Sequence, residues 1–346
     1  MKKVQFQRTI ALLLTILLAL SLASACQNTG TAAGTTAGTS TPAASFPVTI
    51  KNAAGADVVI STKPQAIIAT NVWAGEILLD LLPGDRIKAL SAWGDDPVIS
   101  ATAEKAKTIV NRADTKKPED MVAMKPDLVI IDTFTDADGS LTKTLQEAGI
   151  TVLQLASPTD FDQIKNVITI LAAAVGEPEK GAEMTAAIDT ALKSVSDKLA
   201  GLKESDKQKV MYYEDYYDAS GSSAGMLAAY GAGSPFDAIA KAAGLINVVS
   251  GVNNYSAVSK EKVVGEWKPD ILIVPAITYG ADFSAIDDGG ATVIKAIQAD
   301  ELLKTLPAVQ NGKVMALTEK YRGSTSQYMV KAVEELAKLA YPDLMK

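Results

Sequence analysis

The chain has 346 residues, enough for two domains of ordinary size, and 48% hydrophobic and 21% charged residues, as in a typical globular protein. Its net charge of −7 and its lack of extended basic runs exclude the electrostatic footprint of a nucleic-acid-binding protein. It contains no histidine, which excludes imidazole acid–base catalysis, Ser-His-Asp triads and imidazole metal sites.

The N-terminus has the pattern of a targeting segment. A basic n-region precedes an apolar stretch over residues 10–22, which is too short for a comfortable membrane span. The stretch ends in Leu-Ala-Ser-Ala-Cys, and Cys26 is the only cysteine of the chain. A plain secretory peptide could also be cleaved here, but a lone cysteine after small residues is similar to a bacterial lipobox. We therefore predict a lipoprotein signal peptide over residues 1–25 and lipidation at Cys26.

A tether is predicted directly after the lipidation site. Residues 28–45 are small, polar and uncharged, so they cannot bury enough apolar surface to offset the entropy of ordering. Residues 26–45 are therefore expected to link the lipid to a folded domain that begins at residue 46. A single cysteine also excludes an intramolecular disulfide, so this domain has to be stabilised by its apolar core.

Strand and helix patterns alternate from residue 46 to residue 158. VTIKNAAGADVVI at residues 48–60 predicts a β-hairpin. Further strands are predicted over 66–70, 87–93, 127–132 and 151–156, and helices over 75–82 and 140–149. Because the strands are apolar without alternation, they predict a mainly parallel sheet with helices on both faces, which we assign to an N-terminal lobe over residues 46–158.

Two long helices follow, and the alternation then begins again. One helix is predicted over residues 160–175, and a second from Pro178 to Gly201, with a length of roughly 35 Å at 1.5 Å per residue. We assign residues 159–204 to a helical connection and residues 205–346 to a C-terminal lobe. In that lobe, strands are predicted over 209–215, 246–250, 271–275 and 313–319, and helices over 235–244 and 325–341. The predicted fold class is therefore α/β, with two similar lobes joined by a single long rigid helix.

One motif occurs in both lobes. EDMVAMKPDLVIID at residues 119–132 and EKVVGEWKPDILIVP at residues 261–275 each contain a glutamate, a helical turn, Lys-Pro-Asp and an apolar strand. With the Val-Ser-Lys-Glu-Lys-Val segment at 258–263 and the 178–201 helix, these blocks resemble the substrate-binding lipoproteins of ABC importers for ferric siderophores, cobalamin and haem. The resemblance covers the whole mature chain and points to the helical-backbone (class III) periplasmic binding proteins.

This resemblance implies both the architecture and the partners. It implies two Rossmann-like lobes bridged by one rigid helix, with the ligand in a shallow cleft between them. It further implies an extracytoplasmic monomer, anchored to the cell membrane by its lipid, that delivers a metal chelate or corrinoid to a permease dimer with its ATPase. No cofactor and no nucleic-acid partner are expected.

The two repeated glutamates are the residues that the resemblance assigns to permease docking. Glu119 and Glu261 match the exposed glutamate that each lobe of this family docks into an arginine pocket of the permease. A carboxylate in the first turn of a helix is favoured by the helix dipole, and its pairing with a guanidinium group is bidentate and orienting. The alternative is that both are ordinary carboxylates of a helix N-terminus or capping-box partners, since Ser259 precedes Glu261.

Ligands of open α/β sheets bind beyond the carboxyl ends of the strands. Seven side chains near such ends are candidates for the ligand site: Trp73, Trp93, Arg112, Tyr216, Tyr255, Tyr321 and Arg322. The resemblance points most directly to Trp93, Tyr255 and the 321–322 loop. Partial burial under a loop is the alternative for each aromatic residue, but as a set they suit a flat or aromatic-rich ligand. If Arg112 and Arg322 faced each other, they would suit an anionic chelate such as a catecholate siderophore.

Other ligands and other functions are less compatible with the sequence. Bare transition metals are disfavoured because histidine is absent, and haem because Ala113 stands where a related haem binder would place a tyrosine. An enzyme is disfavoured because no G-x-G-x-x-G follows the first strand, no Walker A motif is present and one cysteine cannot hold a cluster. The predicted function is capture of an iron–siderophore-type chelate. A cobalamin or haem carrier, and a surface-binding lipoprotein without transport, are the alternatives.

Overall fold

The computed structural model describes residues 45–215, 227–280 and 284–346. Two predicted site residues, Cys26 and Tyr216, lie outside these ranges, as do the predicted signal peptide and most of the predicted tether. Within the described ranges, no helix is both long enough and apolar enough to cross a bilayer.

A five-stranded, wholly parallel sheet with the order β5-β4-β3-β6-β7 forms the first half of the fold. The elements of this half are β1 (Val48–Lys51), β2 (Asp57–Ile60), β3 (Ile67–Ala69), α1 (Val72–Leu81), β4 (Ile87–Ser91), α2 (Ala103–Ala106), β5 (Asn111–Ala113), α3 (Pro118–Ala123), β6 (Leu128–Asp132), α4 (Ser140–Glu147) and β7 (Thr151–Leu155). The predicted hairpin is confirmed as β1 and β2, which pair in antiparallel fashion. Strands β3 and β6 are buried along their whole length, as expected for strands covered on both faces.

The two long helices of the middle segment are α5 (Phe161–Val175) and α6 (Pro178–Lys198). The side chain of Asp160 caps α5 by accepting a hydrogen bond from the Gln163 amide at 2.8 Å, and Gly176 ends the helix in the left-handed region at φ 74°. Helix α6 has 21 residues, which corresponds to about 31 Å. Both helices begin and end close to the positions predicted from the proline and glycine residues at their ends.

The second half has a mixed sheet with the order β11-β9-β8-β12-β15, and β10 also pairs with β8. Its elements are β8 (Lys209–Glu214), β9 (Ala228–Tyr230), α7 (Pro235–Ala242), β10 (Ile246–Asn247), β11 (Tyr255–Ala257), α8 (Lys260–Lys262), β12 (Ile271–Val274), β13 (Ile277–Tyr279), β14 (Ala285–Asp287), α9 (Ala291–Ala299), α10 (Pro307–Gln310), β15 (Val314–Ala316), α11 (Glu319–Arg322) and α12 (Met329–Ala340). Strands β8, β10, β12 and β15 are parallel, whereas β9 runs antiparallel to both of its neighbours, β8 and β11. The predicted α/β class with mainly parallel sheets and a long helix is thus confirmed.

Helix α6 connects the two halves through contacts on both sides. It packs along α5 and also contacts α7 and α12. The largest apolar cluster likewise extends through both halves, from Ile77 of α1 through Ile188 of α6 to Val333 of α12. The predicted lobe boundaries at residues 158–159 and 204–205 remain predictions.

The repeated Lys-Pro-Asp motif has the same backbone conformation in both halves. Lys125 and Lys268 have φ values of 51° and 44°, in the left-handed region that residues other than glycine rarely adopt. Each lysine ends a short helical segment: Lys125 follows α3, and Lys268 follows the π-helical turn Val263–Trp267 that continues α8. The left-handed residue turns the chain into the buried strand that comes next, β6 or β12.

The aspartate of each motif ties that strand to its neighbour. Asp127 accepts hydrogen bonds from the backbone amides of Gln65 and Ala66, at 2.6 and 3.0 Å, just before β3. Asp270 accepts a hydrogen bond from the amide of Lys209, the first residue of β8, at 2.9 Å. Since β6 pairs with β3 and β12 with β8, each aspartate stabilises the start of the adjacent strand. This part of the repeat has a structural explanation in both halves.

Candidate functional site

Loops from both sheets enclose a cavity of about 370 Å³, which we call the inter-sheet cavity. Its lining residues are Asn71, Val72, Trp73, Ile99, Asp132, Tyr230, Glu319, Arg322, Gly323, Ser324 and Thr325. Most of them lie at or beyond the carboxyl ends of β3 and β6 in the first sheet, or of β9 and β15 in the second. This is where ligands bind in open α/β folds.

A second cavity of about 690 Å³, the first-sheet cavity, is lined only by residues of the first half. Its lining residues are Thr70, Asn71, Val72, Ser91, Ala92, Trp93, Arg112, Ala113, Asp114, Thr115, Lys116, Phe134 and Thr135, which follow β3, β4, β5 and β6. The two cavities share Asn71 and Val72 at the start of α1, and together we call them the cleft. Their sizes are in the range of sites for drug-sized ligands.

Exposed aromatic side chains lie on the first-sheet cavity. Trp93 is 52% exposed and Phe134 is 90% exposed, which is unusual for large apolar side chains unless they contact a ligand or partner. Trp73 lines the inter-sheet cavity, but only 5% of it is exposed, because it is packed into the apolar core. The structure therefore brings both predicted tryptophans to the cleft, one as an exposed surface and the other as part of a buried wall.

A chain of tyrosines extends from the inter-sheet cavity. Tyr255, half-exposed in β11, contacts the ring of Tyr230 edge-on at 5.1 Å, and Tyr230 contacts Tyr212 edge-on at 5.3 Å. The Tyr230 hydroxyl donates a hydrogen bond to Oε1 of Glu214 at 3.2 Å. Burial and then the nearby Glu214 charge raise the pKa of Tyr230, so its phenol stays neutral at physiological pH. Tyr255 was predicted from the sequence, whereas Tyr230 was not, because it ends a strand of only three residues.

Arg322 lines the inter-sheet cavity and forms an ion pair with Glu319, within the short helix α11. Its guanidinium carbon also lies 4.6 Å from the centre of the Tyr212 ring. Its neighbour Tyr321 lines neither cavity. The Tyr321 ring instead packs against the core and has the Lys331 ammonium group 4.8 Å from its centre.

Arg112 lines the first-sheet cavity, and its guanidinium group is also bonded to other protein groups. It forms an ion pair with Asp95 and donates to the backbone oxygens of Ile109, Asn111 and Ala106. This guanidinium lowers the pKa of Asp95, chiefly through the hydrogen bond. Arg112 and Arg322 line different cavities and each is paired with a carboxylate, so the two guanidinium groups do not form the facing pair that would suit an anionic ligand.

A buried carboxylate connects the two halves beneath the cleft. Glu76 of α1 is 1% exposed and accepts hydrogen bonds from Ser324 Oγ and Ser326 Oγ, both at 2.6 Å. From its own half it accepts bonds from the Ala101 amide at 2.7 Å and Ser100 Oγ at 3.3 Å. We call this group the Glu76 clasp. Burial raises the pKa of Glu76, and the four hydrogen bonds oppose that shift.

A second acidic residue of α1 extends this contact. Asp80 accepts hydrogen bonds from Gln327 Nε2 and the Tyr328 hydroxyl, both at 2.8 Å, and forms an ion pair with Lys105 at 2.6 Å. Because residues 324–328 are bound to α1 in this way, helix α12 begins only at Met329, after the predicted start at residue 325. Both acidic residues looked like the polar face of an ordinary amphipathic helix, so sequence patterning could not identify them.

The predicted docking glutamates occupy matching places. Glu119 lies in the first turn of α3 and Glu261 in the first turn of α8, and both are exposed. Ser259 caps α8 by accepting a hydrogen bond from the Lys262 amide at 3.3 Å. Hydrogen bonds from the backbone amide of Glu261 and from Ser259 lower the pKa of Glu261, so it is ionised at neutral pH.

Several polar residues of the cleft were not among the ligand-site candidates predicted from the sequence. Asn71 caps α1 through its side-chain oxygen, which accepts from the Ala74 amide at 2.9 Å, so α1 begins before the predicted residue 75. Asp132 accepts hydrogen bonds from the Thr135 amide at 2.7 Å and from Ser157 Oγ at 3.0 Å. The position of each directly after a buried strand was the available signal. In the part of the chain that the structure describes, no group of three or more acidic or cysteine side chains is arranged to hold a metal ion.

Comparison with known proteins identifies the class to which this fold and cleft belong. The model of the periplasmic binding protein family matches residues 59–321. The chain belongs to this family, as the sequence motifs predicted, and it is a binding protein rather than an enzyme.

Among curated relatives, the chain is 23% identical over 302 residues to YvrC of Bacillus subtilis, an ABC transporter substrate-binding lipoprotein, covering 87% of this chain and 88% of YvrC. It is also 23% identical over 301 residues to a cobalamin-binding protein of Halobacterium salinarum, covering 86% of this chain and 74% of that protein.

Solved structures show the same fold. The periplasmic haem-binding protein RhuT of Roseiflexus sp. RS-1 matches with a TM-score of 0.64 and 21% identity, over 82% of this chain and all of that one. An ABC-type Fe³⁺-hydroxamate transport protein of Saccharomonospora viridis matches with a TM-score of 0.63 and 20% identity, over 85% and 99% of the two chains. The molybdate-binding protein MolA of Haemophilus influenzae matches with a TM-score of 0.67 and 18% identity, over 86% and 92%.

Proposed function

We propose that this protein captures an iron–siderophore-type metal chelate in the cleft and delivers it to the permease of an ABC importer with its ATPase. The observation that carries the proposal is the cleft itself. Its two cavities meet at the carboxyl ends of strands from both sheets, and exposed aromatic side chains line one of them. The Fe³⁺-hydroxamate and ABC transporter relatives agree with this function.

We also propose that the cleft holds its ligand mainly by stacking. Trp93 and Phe134 present aromatic surface on the first-sheet cavity, and Tyr255 continues through Tyr230 into the inter-sheet cavity. Aromatic surface of this kind suits a large chelate that has an apolar or planar exterior. Tyr321 remains a candidate from the resemblance, and Tyr216 from its place in the sequence directly after a predicted strand.

Glu119 and Glu261 are proposed as the permease contacts. Both are exposed and lie in the first turns of short helices that precede equivalent strands of the two sheets. A rigid body with one carboxylate in each half could engage two equivalent subunits, each through a charge-assisted pair with arginine. Ser259 both caps α8 and hydrogen-bonds Glu261, whose side chain remains exposed to a partner.

The proposed location is outside the cytoplasm, with Cys26 as the lipidated residue and residues 26–45 as the tether. The sequence pattern and the lipoprotein relative YvrC support this arrangement. Fractionation of cells that express the Cys26→Ser variant tests it. The variant should move from the membrane fraction to the soluble extracytoplasmic fraction, and retention in the membrane would contradict lipid anchoring at this residue.

Cobalamin is the second candidate ligand. The observation in its favour is the relative from Halobacterium salinarum, a cobalamin-binding protein that matches over most of both chains. A corrinoid also has a flat macrocycle that aromatic side chains can stack against. Haem has structural resemblances in its favour, such as that to RhuT, but Ala113 on the first-sheet cavity provides no axial ligand.

The test is a titration of the purified protein with ferric siderophores, cobalamin and haem, followed by tryptophan fluorescence. Of the three tryptophans, Trp73 and Trp93 line the cleft and Trp267 is buried in the core of the second half. We expect saturable quenching by a ferric siderophore, strongly reduced in Trp93→Phe and retained in the matched control Trp267→Phe. Quenching by none of the three ligand classes at micromolar concentration would contradict the proposal.

A further inference from the structure

Both arginines of the cleft are already neutralised by carboxylates. Arg322 is paired with Glu319 inside α11, and these two side chains are only 12% and 8% exposed. Arg112 is paired with Asp95 and also donates to backbone oxygens. An anionic ligand would have to compete with these carboxylates. Separating Arg322 from Glu319 would leave a buried charge uncompensated, which proteins avoid strongly.

Carboxylates outnumber basic groups around the cleft. Among the described residues, the two cavities are lined by three basic side chains, Arg112, Lys116 and Arg322, and by three acidic ones, Asp114, Asp132 and Glu319. Three further carboxylates are bonded directly to lining residues, namely Asp95 to Arg112, Glu214 to Tyr230 and Glu76 to Ser324, against one further basic group, Lys117, which is paired with Asp114. The surroundings of the ligand are therefore net negative. Residues 216–226 and 281–283, which lie outside the described ranges, contain no lysine or arginine in the sequence.

The remaining ligand-facing surface suits uncharged or cationic groups. The exposed rings of Trp93 and Phe134 offer stacking surfaces with negative π-faces, which attract cations and repel anions. The raised pKa of Tyr230 keeps its hydroxyl as a neutral hydrogen-bonding group. Because this hydroxyl already donates to Glu214, its oxygen is left to accept a hydrogen bond from a cationic donor of the ligand, such as an ammonium group.

We propose, on the basis of the proposed function, that the cleft selects metal chelates without net negative charge, such as neutral or cationic ferric trihydroxamates, over polyanionic tris-catecholates. Glu319 is the specificity-determining residue in this proposal. Its carboxylate neutralises Arg322 in the inter-sheet cavity and so removes the group that an anionic chelate would need.

The experiment compares three ferric complexes on the intact folded protein by isothermal titration calorimetry. They are a linear trihydroxamate with a terminal ammonium group, a neutral cyclic trihydroxamate and a trianionic tris-catecholate. We expect the cationic and neutral complexes to bind at least about ten-fold more tightly than the trianion. Tighter binding of the trianion would overturn the inference while leaving the proposed function standing. Failure of all three complexes, with cobalamin and haem also inactive, would overturn the proposed function itself.

The variant Glu319→Gln keeps the side-chain shape and removes the charge that neutralises Arg322. It should lower the ratio of cationic to trianionic affinity by about ten-fold or more. The control Glu301→Gln alters a carboxylate whose side chain is 87% exposed and should leave the ratio unchanged. An unchanged ratio in Glu319→Gln would contradict the role of this residue.

The salt dependence of the unmodified protein provides a second measurement that does not depend on folding of the variant. Raising the ionic strength should weaken binding of the cationic complex and reduce the discrimination against the trianion, because salt screens the cleft charge. Discrimination that is independent of salt would contradict an electrostatic origin.

Discussion

Glu76 is a carboxylate residue that lies buried in the protein interior and is hydrogen-bonded to both halves of the fold. It lies on α1 among the buried residues Ile77, Leu78 and Leu79, where an isolated carboxylate would be strongly unfavourable. Four donors, two of them on the segment that carries Ser324 and Ser326, compensate its charge. The same segment contributes Ser324 to the inter-sheet cavity, so the Glu76 clasp positions a wall of the ligand site.

Removal of this carboxylate should be costly. Glu76→Ala leaves buried serine hydroxyls and an amide without their acceptor, and we expect a loss of about 3 kcal/mol in the free energy of unfolding. Urea denaturation measures the loss. The exposed Glu104→Ala serves as the control and should leave the urea midpoint unchanged. Equal midpoints for the wild type and Glu76→Ala would show that the clasp contributes no stability.

The pH dependence provides an independent check on the same residue. Burial raises the pKa of Glu76 above its ordinary value of 4.5, so the native state binds this proton at a higher pH than the unfolded state. The contribution of Glu76 to stability therefore increases as pH falls towards the ordinary value of 4.5, and is lost as pH rises through the native pKa. The difference in unfolding free energy between wild type and Glu76→Gln should thus grow as pH falls from neutral towards 4.5, by at most about 1.4 kcal/mol per pH unit. A constant difference would contradict the raised pKa.

At the scale of elements, the contact between α5 and α6 depends on one glycine. A methyl group built at Gly181 would lie 2.4 Å from Cβ of Ala172, which is shorter than side chains can tolerate. The two helices can approach closely only because position 181 has no side chain. Since α6 also contacts α7 and α12, this approach sets the distance between elements of both halves.

Gly181→Ala should therefore force α5 and α6 apart, despite the higher helix propensity of alanine. We expect a loss of about 1–3 kcal/mol in the free energy of unfolding, measured by urea denaturation. The double variant Ala172→Gly with Gly181→Ala moves the methyl group to the other helix and should recover part of the loss. Gly201→Ala, at a position with no atom within 4 Å of the added methyl group, is the control without steric conflict. A stabilised Gly181→Ala would contradict this close packing.

At the scale of the whole molecule, the proposed function requires one chain to present a cleft and two docking sites at once. The continuous apolar cluster, helix α6 and the Glu76 clasp all join the two halves. The proposed docking glutamates, Glu119 and Glu261, are exposed and line neither cavity. Docking and ligand binding should therefore be separable by mutation.

The double variant Glu119→Ala with Glu261→Ala should abolish chelate uptake by cells and leave the chelate affinity of the purified protein unchanged. Uptake should be lost because two charge-assisted pairs with the permease can no longer form. Affinity should be unchanged because neither substitution alters a residue that lines the cleft. Uptake of a radioactive ferric chelate and calorimetric titration are the two measurements. Replacement of Glu179 and Glu183, two carboxylates of α6 outside both cavities, provides a control with the same change in net charge. A parallel fall in chelate affinity would contradict the docking assignment.

The sequence by itself determined the features that depend on local patterns. Apolar runs without alternation predicted β3, β6 and β12 as buried strands, because burial on both faces removes the need for polar positions. Proline at the start of a helix and glycine after the end of a helix predicted the limits of α5 and α6. The repeated Glu and Lys-Pro-Asp blocks predicted two related halves. The positions of Trp73, Trp93 and Arg322 on the cleft agree with their places at or after predicted strands, whereas Arg112 lies within β5, which the sequence patterns did not predict.

Only the tertiary structure decided which side chains pair with which. Ser324 and Glu76 are 248 positions apart, and nothing in the periodicity of either segment predicts their bond. The pairing of Arg112 with Asp95 likewise depends on the path of a loop, whereas Arg322 and Glu319 pair within one turn of α11. Secondary-structure propensity is encoded within a few neighbouring residues. The charge and shape of a cleft instead arise where strand ends that are distant in sequence come together. The hydrogen-bond and ion-pair partners of such side chains are therefore seen only in the folded chain.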